Sequence, residues 1–395
     1  MKFLNTKSFS LYILLVGIPV FAAAQSVTTV NGASSNSIPT AVQFLNITPD
    51  SRSGAMGDAG VALSPDANDN YWNPAKLAFL ENNHNISVSY NPWLRHLVPD
   101  VSLSFLSYAY KVDERNTLGL SLRYFNLGSI QLIDQNQIDQ GVYTPNEFSV
   151  DVAFARKFGE NLSLGLQARY IYSNFNNGAF VTGSGQGNKA GTAFAAGASV
   201  FYTQPYGDNK TFSFGANISN IGTKMSYTDN GPYYFLPTNL KFGVANTWAV
   251  DDLSKVTVAF DINKLLVPTP PIRDADGNII KGHDDNVSVP AGIFQSFGDA
   301  PGGFSEELKE FTLSPAVEYM YIDMFAVRAG YFYENPQKGG RHYLTTGFGI
   351  KYKDYRFDFA YLVASQQNSP LANTLRFTLS ANFGGVSNAS TAANK

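Results

Sequence analysis

Residues 374–383 read TLRFTLSANF, and their side chains alternate strictly between apolar and polar character. The apolar set comprises Leu375, Phe377, Leu379, Ala381 and Phe383, and the polar set comprises Thr374, Arg376, Thr378, Ser380 and Asn382. Successive side chains of a β-strand point to opposite faces, so this stretch predicts a strand with one face suited to lipid and the other to water. Strands can cross a membrane only as a closed barrel, because a bilayer offers no partner for an open sheet edge.

The same two-faced alternation recurs along most of the chain. It predicts strands near residues 84–91, 100–111, 116–127, 146–158, 161–175, 190–205, 210–222, 236–250, 255–265, 311–321, 325–335, 341–353, 354–365 and 371–383. Aromatic residues make up 14% of the sequence and charged residues only 15%, a composition that suits a wall facing lipid. The predicted fold is therefore all-β: a transmembrane antiparallel β-barrel of about 14 strands over residues 81–384.

The predicted connections alternate between tight turns and longer loops. The tight polar turns lie at residues 113–115, 159–160, 206–208, 251–252, around 323 and at 353–354, and the mostly longer loops at 92–99, 128–145, 176–189, 223–235, 266–310, 336–340 and 366–370. Short periplasmic turns and long external loops are typical of outer-membrane barrels. Residues 287–297 could form another strand, but an odd count would break this alternation, so we assign them to the external loop 266–310. The tail 385–395 is then periplasmic.

The N-terminus has the pattern of a secretory signal. Residues 1–24 contain two lysines, an apolar run from Leu11 to Phe21 and three small residues before Gln25, so the mature chain is expected to begin at Gln25. Residues 25–41 are polar and without period, which predicts a flexible periplasmic lead-in. The chain has no cysteine, and its net charge of −3 gives no basic surface for nucleic acid.

Residues 42–80, VQFLNITPDSRSGAMGDAGVALSPDANDNYWNPAKLAFL, lack strand alternation. Three prolines divide them into short turns, and they contain too few large apolar side chains for a core of their own. A fourteen-stranded barrel is wider than the roughly eight-stranded barrel that its own side chains fill. We therefore predict an N-terminal plug inside the lumen, whose characteristic residues are Arg52, Gly54, Gly57, Asp58, Asp66, Asn73 and Pro74.

Ionisable residues of both signs fall on the predicted lumen face of the strands. They are Arg123, Arg169, Arg328, Arg356 and Arg376 with Asp151, Asp261, Glu318, Glu334 and Asp358. We expect them to pair with one another and with charges of the plug, because a buried unpaired charge costs several kcal/mol. The alternative, an ion-selective pore, would more typically show one dominant sign.

The sequence favours no enzymatic activity. Its four histidines have no metal-ligand spacing, and it contains no G-x-S-x-G nucleophile elbow. We therefore predict neither a catalytic site nor a metal or other cofactor.

Two of the predicted external loops combine prolines with large apolar groups. The candidate docking residues in them are Tyr233, Tyr234, Phe235, Pro268, Pro270, Pro271 and Ile272. Exposed aromatic side chains and prolines at this density suggest a surface for protein binding. The alternative is that these loops fold back over the barrel mouth or rest at the aromatic girdle.

The stretch from Pro49 to Phe79 resembles the PorV family of type IX secretion proteins, a branch of the FadL-type fourteen-stranded barrels, and the resemblance extends over essentially the whole mature chain. It implies an outer-membrane protein that binds an SprA-type translocon channel, takes exported proteins by their C-terminal signal domains and shuttles them to a PorU-type sortase attachment complex. Outer-membrane lipid and lipopolysaccharide would surround the barrel. Lipid A deacylation has been attached to the same family, but the sequence shows no catalytic constellation for it.

Two functions of different classes therefore remain. The first is a shuttle for secreted proteins, favoured by the plug sequence and the external loops. The second is FadL-like uptake of hydrophobic small molecules, which requires an apolar passage through the barrel, whereas the predicted lumen positions are mainly polar.

Overall fold

A computed structural model describes residues 36–93, 100–133, 139–175, 189–229, 231–364 and 374–385. Its main element is a closed antiparallel barrel of fourteen strands, in which each strand pairs with its sequence neighbours and the last pairs with the first. In chain order these are β1 (Asn82–Pro92), β2 (Val101–Lys111), β3 (Asn116–Leu127), β4 (Asn146–Phe158), β5 (Leu162–Asn174), β6 (Gly191–Tyr206), β7 (Lys210–Gly222), β8 (Asn239–Ala249), β9 (Ser254–Leu265), β10 (Thr312–Tyr321), β11 (Phe325–Tyr333), β12 (His342–Tyr352), β13 (Tyr355–Ala364) and β14 (Thr374–Gly385). The predicted fold class is confirmed.

The alternation seen in the sequence matches the two faces of the wall. In β14, Leu379 is 55% exposed and Phe383 is 47% exposed, whereas Arg376 and Thr378 are buried. The apolar face therefore points away from the lumen, as a lipid-facing wall requires. Among the described residues, no helix is long and apolar enough to cross a membrane.

The connections differ in length at the two ends of the barrel. At one end, here called the short-turn end, strands are joined by tight turns such as residues 159–161. At the other, the long-loop end, the connections carry structure of their own. They contain the hairpins Ile130–Ile133 with Asp139–Tyr143 and Ile272–Arg273 with Ile279–Lys281, the α-helices Val289–Gln295 and Phe304–Glu307, and the 3₁₀ turn Leu308–Glu310. Residues 287–297 contain a helix and no barrel strand.

Residues 42–80, here called the inner segment, lie against the inward face of the wall. They form four short turns of helix, at Gln43–Asn46, Ser51–Gly54, Asp69–Trp72 and Pro74–Phe79. The Ser51 N–H donates to Thr378 Oγ1 at 2.9 Å, and the Gly57 N–H donates to Thr345 Oγ1 at 2.8 Å. Hydroxyl groups of wall side chains thus accept hydrogen bonds from backbone N–H groups that have no partner within such short helices.

The chain enters the lumen from the long-loop end. Asn36 N–H donates to the carbonyl of Gln337 at 3.0 Å, and Ala41 N–H donates to that of Phe235 at 2.9 Å. The inner segment ends near the other rim, where Lys111 Nζ donates to the Leu80 carbonyl at 3.1 Å. The sequence predicts a flexible periplasmic lead-in over residues 25–41, and the structure places residues 36–41 of it at the long-loop end, a position that polar composition does not indicate. The signal peptide and residues 25–35 lie outside the described residues, as do residues 386–395 of the predicted tail.

The inner segment touches the wall backbone to backbone where both sides lack a Cβ. A Cβ on Gly330 would lie 2.1 Å from the nitrogen of Gly57. Gly57 itself has a φ of +63°, and a Cβ there would lie 2.6 Å from the nitrogen of Tyr331. Two glycines are therefore required here for separate reasons, close approach and backbone conformation.

Gly57→Ala should destabilise the barrel more than Gly207→Ala. Both positions have positive φ, but nothing lies within 4 Å of a Cβ on Gly207, which is in an open turn. The control should therefore cost only the left-handed conformation, roughly 1 kcal/mol, whereas Gly57→Ala adds an overpacking cost of about 1–3 kcal/mol. The temperature at which the folded band is lost in semi-denaturing electrophoresis measures both. Equal shifts for the two variants would contradict the close contact.

Candidate functional site

A chain of buried ion pairs joins the inner segment to three strands of the wall. Arg52 binds Asp66 at 3.0 Å and Glu318 at 3.3 Å, and Glu318 also accepts from Arg328 at 2.6 Å. Arg328 continues to Asp358 at 2.8 Å, which also binds Arg356 at 2.9 Å. The two arginines between carboxylates, Arg52 and Arg328, have side chains at most 3% exposed. Each charge taken from water is thus matched by an opposite charge in contact.

Further polar contacts fix the inner segment at other points of its length. Arg376 Nη1 lies 2.8 Å from Asp58, whose other oxygen accepts from the Tyr343 hydroxyl at 2.6 Å. Asp261 accepts the N–H groups of Gly60 at 2.7 Å and Val61 at 2.9 Å. These contacts come from strands on different parts of the barrel, so the segment is held from several sides.

Not every predicted lumen charge contacts the inner segment. Asp151 pairs with Arg169 within the wall. Arg123 has no carboxylate partner among the described residues and donates instead to the carbonyl of Leu45 at 2.9 Å, with its guanidinium over the Tyr71 ring. Glu334 binds Arg341 at 2.8 Å in the connection after β11, at the long-loop rim.

The remaining predicted plug residues have structural roles. Asn73 Nδ2 donates to the carbonyls of Val61 and Val200, each at 3.0 Å, and Asn73 Oδ1 accepts from Ala75 N–H. Pro74 opens the 3₁₀ turn, where no N–H is needed. At Gly54, a Cβ would lie 2.4 Å from the Arg376 guanidinium.

Sequence reasoning missed one ion pair inside the segment. Lys76 is 1% exposed, lies 2.5 Å from Asp69 and donates to the carbonyl of Gly60 at 2.8 Å. Asp69 and Lys76 are seven residues apart in the sequence, and this spacing indicates an ion pair only if both side chains point toward the same turn of the inner segment.

The two apolar loops pack on each other and form a cap, defined here as residues 223–229, 231–238 and 266–311. Phe235 is 8% exposed, and its ring and the ring of Pro268 both meet the helix at Gly292, where a Cβ would lie 3.0 Å from each. Lys264, at the end of β9, contacts Glu307 and Glu310 of the cap. The cap is therefore a folded element with its own apolar and ionic contacts.

A buried carboxyl makes part of the cap sensitive to pH. Asp299 Oδ2 accepts from Thr269 N–H at 3.1 Å, and burial, aided by the nearby negative charges of Glu307 and Glu310, raises the pKa of Asp299 to about 6. The pKa of Asp299 in the folded cap is higher than its ordinary value of 3.8. Between these two pH values the carboxyl group is therefore protonated in the folded cap and ionised in the unfolded chain. The contribution of this group to cap stability therefore falls as the pH rises through that window.

The predicted docking residues divide between the surface and the interior. Tyr233, Tyr234 and Ile272 are 63%, 41% and 46% exposed. Phe235 and Pro268 are buried, so they cannot present a docking surface, and the prediction is wrong for these two. Pro270 and Pro271 are half-buried.

The cap exposes large apolar side chains beyond the seven candidate docking residues. Phe294 is 79% exposed, Phe304 is 77% exposed, and Ile280, Phe297 and Leu308 are each more than half exposed. Phe294 lies in the segment that alternation had left ambiguous, and no periodicity distinguishes an exposed loop aromatic from a buried one.

A cavity of about 1150 Å³ lies at the long-loop end, between the inner segment and the connections. Residues 37–44 run along it, and Tyr71 and Trp72 line it from the inner segment. Its charged lining consists of Lys241, Lys338, Arg341 and Arg376 with Asp58, Glu147, Glu310 and Glu334. In the described part of the chain, no group of three or more His, Asp or Glu side chains is arranged to hold a metal ion.

Removing the central arginine of the ion-pair chain should strongly destabilise the protein. Arg328→Met leaves the carboxylates of Glu318 and Asp358 buried with fewer partners, which costs about 3–5 kcal/mol. The matched control is Lys255→Met, which breaks an exposed pair with Asp323 and should cost about 1 kcal/mol or less. Thermal unfolding in micelles followed by circular dichroism distinguishes them. A loss for Arg328→Met no larger than that for the control would show that the buried chain does not hold the fold.

Comparison with solved structures finds only distant similarities. The Ralstonia pickettii toluene transporter TbuX is 12% identical, with a TM-score of 0.47, and the match covers 85% of this chain and 98% of that one. A Pseudomonas aeruginosa FadL homologue is 12% identical, with a TM-score of 0.42 and coverage of 89% and 100%. The search of curated proteins finds no match.

The family comparison is more specific. The sequence model described as "Type IX secretion system protein PorV" matches residues 30–272, which is more than half of the chain. The matched region includes the entire inner segment and β1 to β9. The chain therefore belongs to the PorV family and is an outer-membrane component of the type IX secretion system.

Proposed function

We propose that this protein is a carrier that binds exported proteins at the cell surface and is not itself their export channel. The observation that carries the proposal is the contrast between the two regions of the barrel. The lumen is filled by the inner segment, whereas the long-loop end presents a folded cap with several exposed aromatic side chains.

A filled lumen argues against passage of a polypeptide through this barrel. Arg52, Asp58 and Asp261 connect the inner segment to different strands by buried polar contacts. Opening a channel would separate several of these contacts at once, and each broken buried pair leaves a charge without its partner. We therefore infer that residues 42–80 are a structural plug.

The exposed aromatic residues of the cap favour protein binding. Phe294 and Phe304 are the most exposed of several large apolar side chains on the cap, and larger exposed apolar surfaces mark sites of interaction. Aromatic anchors dominate the affinity of protein interfaces, and here they lie on a surface fixed by the Lys264 ion pairs and the Phe235 packing. Binding therefore requires little ordering of the cap.

Membership of the PorV family implies partners within the type IX secretion system. Within that general statement, we propose that an SprA-type translocon channel delivers cargo, that the cargo is recognised by its C-terminal signal domain, and that a PorU-type attachment complex receives it. No enzymatic step by this chain is required in this sequence of events.

The alternative function, uptake of hydrophobic small molecules, is supported by the size of the cavity at the long-loop end, here called the outer cavity. Its 1150 Å³ would hold such a ligand, and Phe125 and Phe332 contribute rings to the lining. Eight charged side chains also line it, however, and the inner segment lies between it and the short-turn end. The carrier function accounts for both the cap and the filled lumen, so we favour it.

Replacing the exposed rings should reduce cargo binding without affecting the barrel. The double variant Phe294→Ser with Phe304→Ser should lose cargo from mild-detergent purifications by about tenfold or more, the size expected for interface anchors. The matched control replaces Tyr352 and Tyr355, which are 64% and 60% exposed at the short-turn end, with serine. Cargo signals relative to the barrel are compared by quantitative mass spectrometry. If both variants insert normally and retain cargo equally, the cap is not the docking surface.

A further inference from the structure

One lysine of the outer cavity is buried without a hydrogen-bond partner. Lys241 lies in β8, opposite Asn263 of β9, and is 7% exposed. Its ammonium lies 4.5 Å from the ring centroid of Trp72 and 4.9 Å from that of Tyr71. No described residue accepts a hydrogen bond from it or forms an ion pair with it. Ring faces attract a cation but accept no N–H···O hydrogen bond from it, so the ammonium, which lines the cavity, keeps its donors available to a ligand.

The other cations in the cavity lining are all paired. Arg376 contacts Asp58, Arg341 contacts Glu334, and Lys338 contacts Glu310. Asp261 is the acidic residue whose carboxylate is attracted electrostatically to the ammonium of Lys241. One oxygen of Asp261 accepts two N–H groups of the inner segment and the other has no hydrogen-bond partner among the described residues, but Asp261 and Lys241 form no ion pair. Lys241 therefore retains its capacity to bind an anion from the cavity.

We propose that Lys241 is the anchor for the C-terminal carboxylate of an exported polypeptide that enters the outer cavity in an extended conformation. The inference rests on the proposed carrier function and names the chemical group that the carrier recognises. A lone ammonium matches the single charge of a carboxylate, and an exported polypeptide, the cargo of the proposed carrier, has such a group at its C-terminus. The Tyr71 and Trp72 rings beside the ammonium would pack against the side chain of the last residue.

The cavity already accommodates an extended polypeptide. Residues 37–44 run along it, and on this path the N–H of Ala41 donates to the Phe235 carbonyl of the cap. The Phe235 carbonyl thus accepts from a peptide N–H on this path, a contact that an alkyl chain could not make. The volume of about 1150 Å³ also exceeds the roughly 300–1,000 Å³ typical of small-molecule pockets. These features favour a polypeptide C-terminus over a fatty acid, which carries the same terminal carboxylate.

The test compares two forms of one cargo signal domain, one with a free C-terminal carboxylate and one with a C-terminal amide. Their affinities are measured by calorimetry with the full-length mature barrel in detergent, for wild type, Lys241→Gln, Lys241→Arg and Lys210→Gln. Lys210 is the matched control, since its ammonium also lies over a tyrosine ring but at the short-turn end. Retention of the folded band in semi-denaturing electrophoresis verifies each barrel. Laurate serves as the fatty-acid probe.

For wild type and Lys210→Gln, the amide form should bind about tenfold or more weakly than the acid, the effect of one charge-assisted hydrogen bond. Lys241→Gln should weaken the acid form by a similar factor and bind both forms equally, and Lys241→Arg should restore the preference. Equal binding of acid and amide to wild type would overturn the carboxylate assignment while leaving the carrier function standing. Wild type that binds neither form would instead overturn the carrier function. Binding of laurate to wild type that is lost in Lys241→Gln, with no binding of the acid peptide, would assign Lys241 to a lipid.

Discussion

The structure depends on the pairing of charges that are buried between the inner segment and the barrel wall. A lumen filled with protein offers little water to an arginine or a carboxylate, and an unpaired charge there would cost several kcal/mol. The run from Asp66 through Arg52 and Glu318 to Arg328 satisfies this constraint by alternating signs across the boundary between segment and wall. A wall of fourteen strands alone would leave a wide lumen, and these contacts hold the inner segment against the inward face of that wall.

This constraint also separates the two ends of the molecule. The lumen cannot exchange its contents without breaking several pairs, whereas the cap is fixed by contacts that leave its rings free, as at Phe294. Binding at the long-loop end therefore does not require movement within the barrel. In a type IX secretion component, such a division suits a protein that holds cargo outside the membrane while its barrel remains sealed.

The sequence predicts the features that follow from the two-residue alternation of a strand or from equal numbers of opposite charges. Leu379 and Thr378 already show the two faces of β14, and the equal numbers of lumen arginines and carboxylates already indicate pairing. It could not predict that residues 36–41 lie at the long-loop end, because a polar aperiodic stretch has no sidedness. Nor could the sequence distinguish the buried Phe235 from the exposed Phe294, because both are equally apolar loop residues. Burial in the cap depends on contacts between distant loops, such as the contact of Phe235 with Gly292. Lys76 was missed for the same reason, because its partner is set by the turn of the inner segment.

The path of the chain through the lumen, from the outer loops to the periplasmic rim, can be tested directly by labelling single cysteines in intact cells. The protein has no native cysteine, so each introduced thiol is unambiguous. Ser37 is exposed beside the outer loops, and Glu81 is exposed at the short-turn end just before β1. A membrane-impermeant maleimide should label the Ser37→Cys variant in whole cells, and the Glu81→Cys variant only after lysis. Labelling of Glu81→Cys in whole cells, with Ser37→Cys protected until lysis, would contradict this path.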